Sequence, residues 1–502
     1  MAKGPVPVCI CLTGKTISQN LEILDKYRDV VDIAELRADF LDPAEKFFIR
    51  AFPEKAGLPC ILTVRRKSDG GLFEDGEGVR LVMIAKALSY ARADASANYA
   101  YVDLEDDFHM PAIEEACKTF GTRIIRSRHY LDGIPENFDD AWENLTQEED
   151  EIPKLAVTPR NSAELAKLLA WASTVPQKEK LIIGMGTFGF PTRILAGRIG
   201  SHHTYTSPKA DESSLAAPGQ IDPQTFARIY RGRETTDDFD LFVLLGGPSI
   251  LGSLSPSLHN SAFKKAGKKA LIVPMPSDSI ESALQSMNTL KVKGAAVTVP
   301  LKEEILPHLA FRSTDVRAIG ACNTLIMREE GWAGYNSDAD GFERSALEFL
   351  GRDDFSGLKV TIVGAGGAAK SVALSIFRKG GKAVILNRTL ATARSLAKKF
   401  NFQYGPLDDR AIDLVSEYSD FIVQATSVGM QGGTPGDPLE FYEFDGHEAV
   451  FDLIYKPSKT ALLSRAEASG CRIRNGYDML RYQAEGQYKI WMDEDPPPGY
   501  YE

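Results

Sequence analysis

Eight short β-branched runs recur across residues 1–225, and this beat constrains the fold more than any other feature. The runs begin near Val8, Val31, Cys60, Tyr99, Arg123, Ile152, Leu181 and His203. Each ends in a polar residue, and a helix-like segment usually follows. Eight β-α units in about 220 residues predict a parallel (β/α)8 barrel. An open doubly wound sheet is the alternative arrangement.

A chain of 502 residues is too long for one hydrophobic core. A polar run, Arg231-Gly232-Arg233-Glu234-Thr235-Thr236-Asp237-Asp238, reads as a linker. A second α/β pattern then starts at Leu241-Phe242-Val243-Leu244-Leu245. The expected organisation is a barrel over 1–228, a linker over 229–240, an α/β substrate domain over 241–345 and a Rossmann domain over 346–475. A C-terminal helix over 476–492 would complete the substrate domain, and 493–502, with Pro496-Pro497-Pro498, is expected to be disordered.

Net charge is −11, so no general attraction to nucleic acid or anionic membrane is expected, and local arginines must build any site for an anion. The six cysteines contain no CxxC, and there is no HExxH, so no metal is expected and reduced thiols fit. The N-terminus lacks the profile of a signal or transit peptide, and no apolar stretch reaches about 18 residues. These features point to a cytoplasmic, bacterial-like protein, with a trimmed plastid protein as the alternative. A monomer is expected.

The strand Val360-Thr361-Ile362-Val363 runs into Gly364-Ala365-Gly366-Gly367-Ala368-Ala369 and a helix opening at Lys370. Glycine at 364 permits a tight turn. Glycine at 366 lets backbone approach a pyrophosphate at a helix N-terminus, where amide donors favour anions. The next strand ends Asn387-Arg388-Thr389, with no acid to accept from a ribose 2′-hydroxyl. Arg388 would meet a 2′-phosphate instead, which favours NADP(H) over NAD.

Ser253-Leu254-Ser255-Pro256 enters a helix, and two hydroxyls there suit a carboxylate, although a simple N-cap would look alike. Further loops carry Thr298-Val299-Pro300-Leu301-Lys302, Asn323-Thr324 and Asn336-Ser337-Asp338. In this order the segments resemble the shikimate dehydrogenase family across about 240–490. The resemblance implies Lys302 and Asp338 as the catalytic pair, with Ser253 and Ser255 on the substrate carboxylate. It places Thr298, Asn323, Asp338 and Gln483 on ring hydroxyls and Tyr455 in the lining. It gives Gly364, Ala365, Gly366, Gly367, Ala368, Asn387, Arg388, Thr389, Thr426 and Gly476 to the cofactor. Ala296 departs from the family, which often has Asn there.

In a (β/α)8 barrel, chemistry gathers at the C-terminal strand ends. Those ends hold Glu35, Arg37, Arg65, Glu105 and His129, with Lys154 inside the sixth strand and Arg193 and Gln220 in the last loops. A lysine in an apolar strand is costly to keep charged, and a neutral amine can form a Schiff base with a ketone. A lysine snorkelling to solvent at the strand's entrance is the bland alternative. Glu35-Leu36-Arg37, Thr63-Val64-Arg65, Tyr101-Val102-Asp103-Leu104-Glu105, Ser127-Arg128-His129, Lys154-Leu155-Ala156 and Ala217-Pro218-Gly219-Gln220 together resemble the type I 3-dehydroquinate dehydratases. The resemblance implies imine formation at Lys154, proton transfer by His129 and orientation of His129 by Glu105. Arg193 would pair with the carboxylate, and Glu35, Arg37, Arg65 and Gln220 would bind ring and hydroxyls. Ala216 stands where that family commonly has Ser.

The two resemblances imply consecutive steps, 3-dehydroquinate to 3-dehydroshikimate to shikimate. A second half preferring quinate is one alternative. A catalytically silent, metabolite-sensing homologue is another, but it should have lost Lys154, His129, Lys302 or Asp338, and all four are present.

Overall fold

The computed structural model describes residues 5–88, 94–176, 179–208, 217–234, 236 and 238–499; the departure at Ala216 lies outside them. The chain forms two compact units, Met1–Gly252 with Gly267–Val292, and Ser253–Ala266 with Lys293–Glu502.

In the first unit the eight runs are eight strands: β1 Val8–Leu12, β2 Ile33–Arg37, β3 Cys60–Thr63, β4 Tyr101–Glu105, β5 Arg123–Tyr130, β6 Ile152–Val157, β7 Leu181–Gly184 and β8 Thr204–Thr206. They form one parallel sheet in the order β7-β6-β5-β4-β3-β2-β1-β8, the (β/α)8 barrel expected from the sequence rather than an open doubly wound sheet. No described ladder joins β7 to β8. The gap is spanned by His202 N, which donates to Lys180 O (2.7 Å), and by Ser201 Oγ, which accepts from Ile182 N (3.1 Å).

Strand side chains alternate faces. Cys9, Cys11, Ile33, Ile61, Ile125, Ile152, Ala156, Leu181, Ile183 and Tyr205 pack together as the inner core. Lys154 shares the parity of Ile152 and Ala156 on β6, so it points into the barrel. The unit also holds two buried parallel strands, β9 Asp240–Gly246 and β10 Ala270–Pro276.

The second unit contains β11 Gly294–Val297, β12 Phe311–Arg312, β13 Thr324–Arg328 and β14 Gly331–Tyr335. β13 pairs antiparallel with β11 and β14, and β12 pairs parallel with β14. A six-stranded parallel sheet follows, built from β15 Lys359–Val363, β16 Lys382–Asn387, β17 Gln403–Pro406, β18 Phe421–Gln424, β19 Ala449–Asp452 and β20 Arg472–Arg474. Its order, β17-β16-β15-β18-β19-β20, reverses direction beside β15, as in Rossmann sheets. Phe342, Phe355, Phe421 and Phe451 fill the core beneath it. The last helix, Tyr477–Met492, sends Trp491 Nε1 to Leu325 O and Gln487 Nε2 to Asn323 O, each at 3.0 Å.

Two contacts engage the described part of 493–502. Tyr488 donates to Glu494 (3.1 Å) and Lys265 Nζ to Gly499 O (3.0 Å), whereas 500–502 lie outside the described residues. Among the described residues, no helix is long and apolar enough to cross a membrane.

Candidate functional site

The C-terminal strand ends of the barrel surround a cavity of about 270 Å³. Its lining contains Glu35, Arg37, Arg65, His129, Lys154, Arg193 and Gln220, seven of the eight residues singled out in the barrel sequence. Lys154 is 5% exposed, which excludes the snorkelling alternative. Its Nζ lies 2.7 Å from Asp103 Oδ2 and 3.3 Å from Tyr205 Oη, above whose ring it sits at 4.5 Å.

Asp103 is buried beneath the lysine. Burial alone would push its pKa up and disfavour the charge, but Arg65 and then Lys154 outweigh that and hold the carboxyl well below the usual carboxylate range. Burial, with Arg65 and Lys154 nearby, pushes His129 well below an ordinary imidazole. His129 is therefore a neutral base near pH 7, and its Nδ1 has no hydrogen-bond partner.

Among the described residues Glu105 bonds to arginines and makes no hydrogen bond to His129. Its Oε1 accepts from Arg65 (2.6 Å), its Oε2 accepts from Arg80, and it is absent from the cavity lining. Two buried guanidinium groups engage its two oxygens. Glu35 accepts from Thr63 Oγ1 (2.8 Å), and Arg37 is clamped by both oxygens of Asp39 (2.9 and 2.8 Å). Gln220 Nε2 donates to Cys11 Sγ at 3.1 Å.

Arg193 differs from the other cavity arginines. It is 3% exposed, its Nη2 donates only to Pro218 O (3.2 Å), and its buried Nε is unpartnered. Among the described residues no carboxylate stands beside it, and burial lowers it to about 10. A buried guanidinium without a counter-ion is an incomplete ion pair, which an incoming carboxylate completes.

The second unit gathers another set. Ser255 N donates to Ser253 Oγ and the two hydroxyls are bonded, both at 3.2 Å, at the start of the helix Ser255–Lys265. Lys302 Nζ lies 2.5 Å from Asp338 Oδ2, while Asn323 Nδ2 donates to Asp338 Oδ1 (2.8 Å) and, more weakly, to Gln483 Oε1 (3.4 Å). Thr298 O accepts from Leu301 N in the turn that delivers Lys302. Ala296 is buried and pairs with Thr324 in the ladder. Tyr455 follows β19, half-buried and outside this bonded network.

Beside these residues is the glycine turn. Gly364 has φ +109°, and a Cβ there would press on Thr426 Cγ2 at 2.9 Å. Nothing stands within 4 Å of a Cβ built at Gly366, and one at Gly367 would lie 3.5 Å from Lys302 Cδ. The helix Gly367–Arg378 thus opens with free amides toward open space next to the lysine. At Gly476 a Cβ would fall 1.9 Å from Leu453 O, so only glycine fits. Arg388 is exposed at the end of β16, beside Asn387, whose Nδ2 donates to Thr389 O at 3.1 Å. Open space at Gly366, free amides and a strand end without an acid fit a nucleotide carrying a 2′-phosphate.

Among the described residues one group has metal-ligand spacing, Asp445, His447 and Glu448. Tyr442 Oη and the Gly446 amide already occupy the oxygens of Glu448, so hydrogen bonds account for this turn. Asp103, Ser127 and Tyr205 join this site without being marked by a motif of their own. Strand alternation places each on the face that carries Glu105, His129 or Cys9, and that signal could have found them.

Comparison with known proteins follows the same division. A family model described as type I 3-dehydroquinase matches residues 8–237. The shikimate dehydrogenase substrate binding domain matches 245–325, and shikimate / quinate 5-dehydrogenase matches 346–430. A bifunctional 3-dehydroquinate dehydratase/shikimate dehydrogenase, chloroplastic, from Arabidopsis thaliana is 28% identical over all of this chain and 84% of its own. A shikimate dehydrogenase (NADP(+)) from Geobacter metallireducens is 36% identical over 51% of this chain and 92% of its own. The solved dehydroquinate dehydratase and shikimate dehydrogenase of S. pombe AroM is 22% identical, with TM-score 0.43, over 99% of this chain and 98% of its own. The chain belongs, through its second half, to the shikimate dehydrogenase family, and its first half is a type I 3-dehydroquinase barrel.

Proposed function

We propose that the chain converts 3-dehydroquinate to 3-dehydroshikimate in the barrel and reduces that product to shikimate with NADPH in the second unit. The observation that carries this reading is the cavity in which Lys154, neutral His129 and Arg193, its buried Nε unpartnered among the described residues, meet.

In the barrel, Arg193 pairs with the substrate carboxylate while Glu35, Arg37, Arg65 and Gln220 hold ring and hydroxyls. The Lys154 amine adds to the C3 ketone, and the carbonyl oxygen leaves as water, giving an imine. The cationic imine acidifies the neighbouring C2 proton, which His129 accepts. The electron pair expels the C1 hydroxyl, which takes the proton back from His129 and departs as water. Hydrolysis of the imine then frees Lys154.

In the second unit, Ser253 and Ser255 hold the carboxylate. Thr298, Asn323, Asp338 and Gln483 hold the hydroxyls, and Tyr455 lines the site. The turn from Gly364 to Ala368, with Asn387, Arg388, Thr389, Thr426 and Gly476, would hold NADP(H), which supplies the hydride when bound. Lys302 stabilises negative charge growing on the ketone oxygen and delivers a proton to it, while Asp338 fixes the ammonium.

The test is to add 3-dehydroquinate and NADPH together and identify the product. Shikimate with one NADPH oxidised per molecule is expected. Accumulation of 3-dehydroshikimate alone, or turnover of quinate in preference to shikimate in the reverse direction, would overturn the second step. Borohydride reduction with 3-dehydroquinate should leave a stable adduct on Lys154; an unmodified Lys154 would overturn the imine.

A further inference from the structure

From the cavity wall inward, five buried side chains alternate in charge. Lys154 pairs with Asp103 at 2.7 Å, Asp103 with Arg65 at 2.7 Å and Arg65 with Glu105 at 2.6 Å. Glu105 pairs in turn with Arg80. Arg80 also meets Glu77 (3.0 Å), whose side chain is half exposed, so the chain ends at the surface. Arg80 is 0% exposed, on the helix Glu77–Leu88. Its Nε donates to Val64 O (2.8 Å) and its guanidinium lies 4.9 Å from the Phe108 ring centroid. Neither Arg80 nor Glu105 lines the cavity.

We propose that Arg80 is a positioning residue for the dehydratase step, acting through Glu105 and Arg65 to set how much of the Asp103 charge falls on Lys154. Glu105 is shared by two guanidinium groups. Without Arg80, the whole of its charge draws on Arg65. Asp103 is then left to Lys154, and the ammonium is favoured over the free amine that attacks a ketone. The other titratable groups facing Lys154 are His129 from β5, Tyr205 from β8 and His203 just before it, Glu35 from β2 and Cys9 and Cys11 from β1. None of them bonds to Arg80, so a change at Arg80 reaches the lysine along the ion-pair chain.

This inference rests on the Lys154 imine proposed above, and one experiment separates the two. The full chain is incubated with 3-dehydroquinate and borohydride across a pH series, and the yield of reduced Lys154 adduct is mapped by mass spectrometry beside kcat/KM. In Arg80→Met the midpoint of adduct formation is expected to rise by about one pH unit, with full yield recovered at alkaline pH. Arg80→Lys should lie near wild type. The isoelectric pair Arg80→Met with Glu105→Gln should move the midpoint below wild type, because Arg65 then serves Asp103 alone.

An Arg80→Met yield reduced equally at every pH, or an unchanged midpoint, overturns the proposal. Should Arg80→Met fail to fold, the isoelectric pair decides, and a midpoint unchanged or raised there overturns it. A wild-type chain that forms no Lys154 adduct defeats the imine reading itself, whereas a wild-type adduct with coincident midpoints defeats only the role of Arg80.

Discussion

One carboxylate holds two partners in the second unit: Asp338 meets Lys302 with one oxygen at 2.5 Å and Asn323 with the other at 2.8 Å. The ammonium is thereby aimed while the acid stays anchored. Lys302→Ala is expected to abolish NADPH oxidation with 3-dehydroshikimate and leave dehydration intact. Asp338→Asn should lower kcat by roughly 100-fold or more, within the range for a misplaced proton donor. Steady-state assays of both half-reactions on the same preparation check this; loss of both activities would refute independent sites.

Arg193 carries a buried charge that no acid among the described residues balances. Its replacement should therefore separate stability from function. Arg193→Met is expected to raise the stability of the barrel unit by about 1–3 kcal/mol while raising KM for 3-dehydroquinate by roughly 10–100-fold. Denaturant unfolding and initial rates read the two effects; a destabilised variant with unchanged KM would contradict the assignment.

Two buried groups of the second unit oppose each other in acid. Burial lowers His259 from 6.5 to about 4 in the folded state. Its contribution to stability is full above pH 6.5 and lost as pH falls toward 4, because the unfolded imidazole takes the proton first. Burial raises Asp452 from 3.8 to about 6, against the bonds from Thr460 and Ile454. Its contribution is present below pH 3.8 and lost as pH rises through 6. Relative to wild type, Asp452→Asn should steepen the loss of stability between pH 6 and 4, and His259→Gln should flatten it. Urea unfolding of this unit at several pH values checks both signs.

Arg388 stands exposed where β16 ends without an acid. Arg388→Ala should raise KM for NADPH by about 10-fold or more and leave KM for NADH nearly unchanged. Equal losses with both cofactors would place the 2′-phosphate elsewhere.

Much of this molecule was legible in its sequence. The eight strand starts fell within three residues of their observed positions, because β-branched runs punctuated by polar residues leave little freedom in a parallel barrel. Lys154 stood out as a lone cation in an apolar strand. For Glu105, sequence gives the face of a strand residue but not the competition for its oxygens. That competition comes from Arg80, which arrives from a helix and reads like any surface helical arginine. Asp103 lies one layer beneath the strand ends, so its position in the sequence does not mark it.

The seam beside β8 has a mechanical consequence. Seven of the eight strand-to-strand joints are continuous ladders, and the remaining one hangs on Ser201 and the single amide of His202. A hoop fails at its weakest joint, so the barrel should breathe there first. Deuterium should therefore enter at His202 and Ile182 sooner than along β2 to β5. Because Tyr205 rides on that joint and Arg193 O accepts from Thr204 Oγ1 at 2.8 Å, the same loosening gives one wall of the cavity its play.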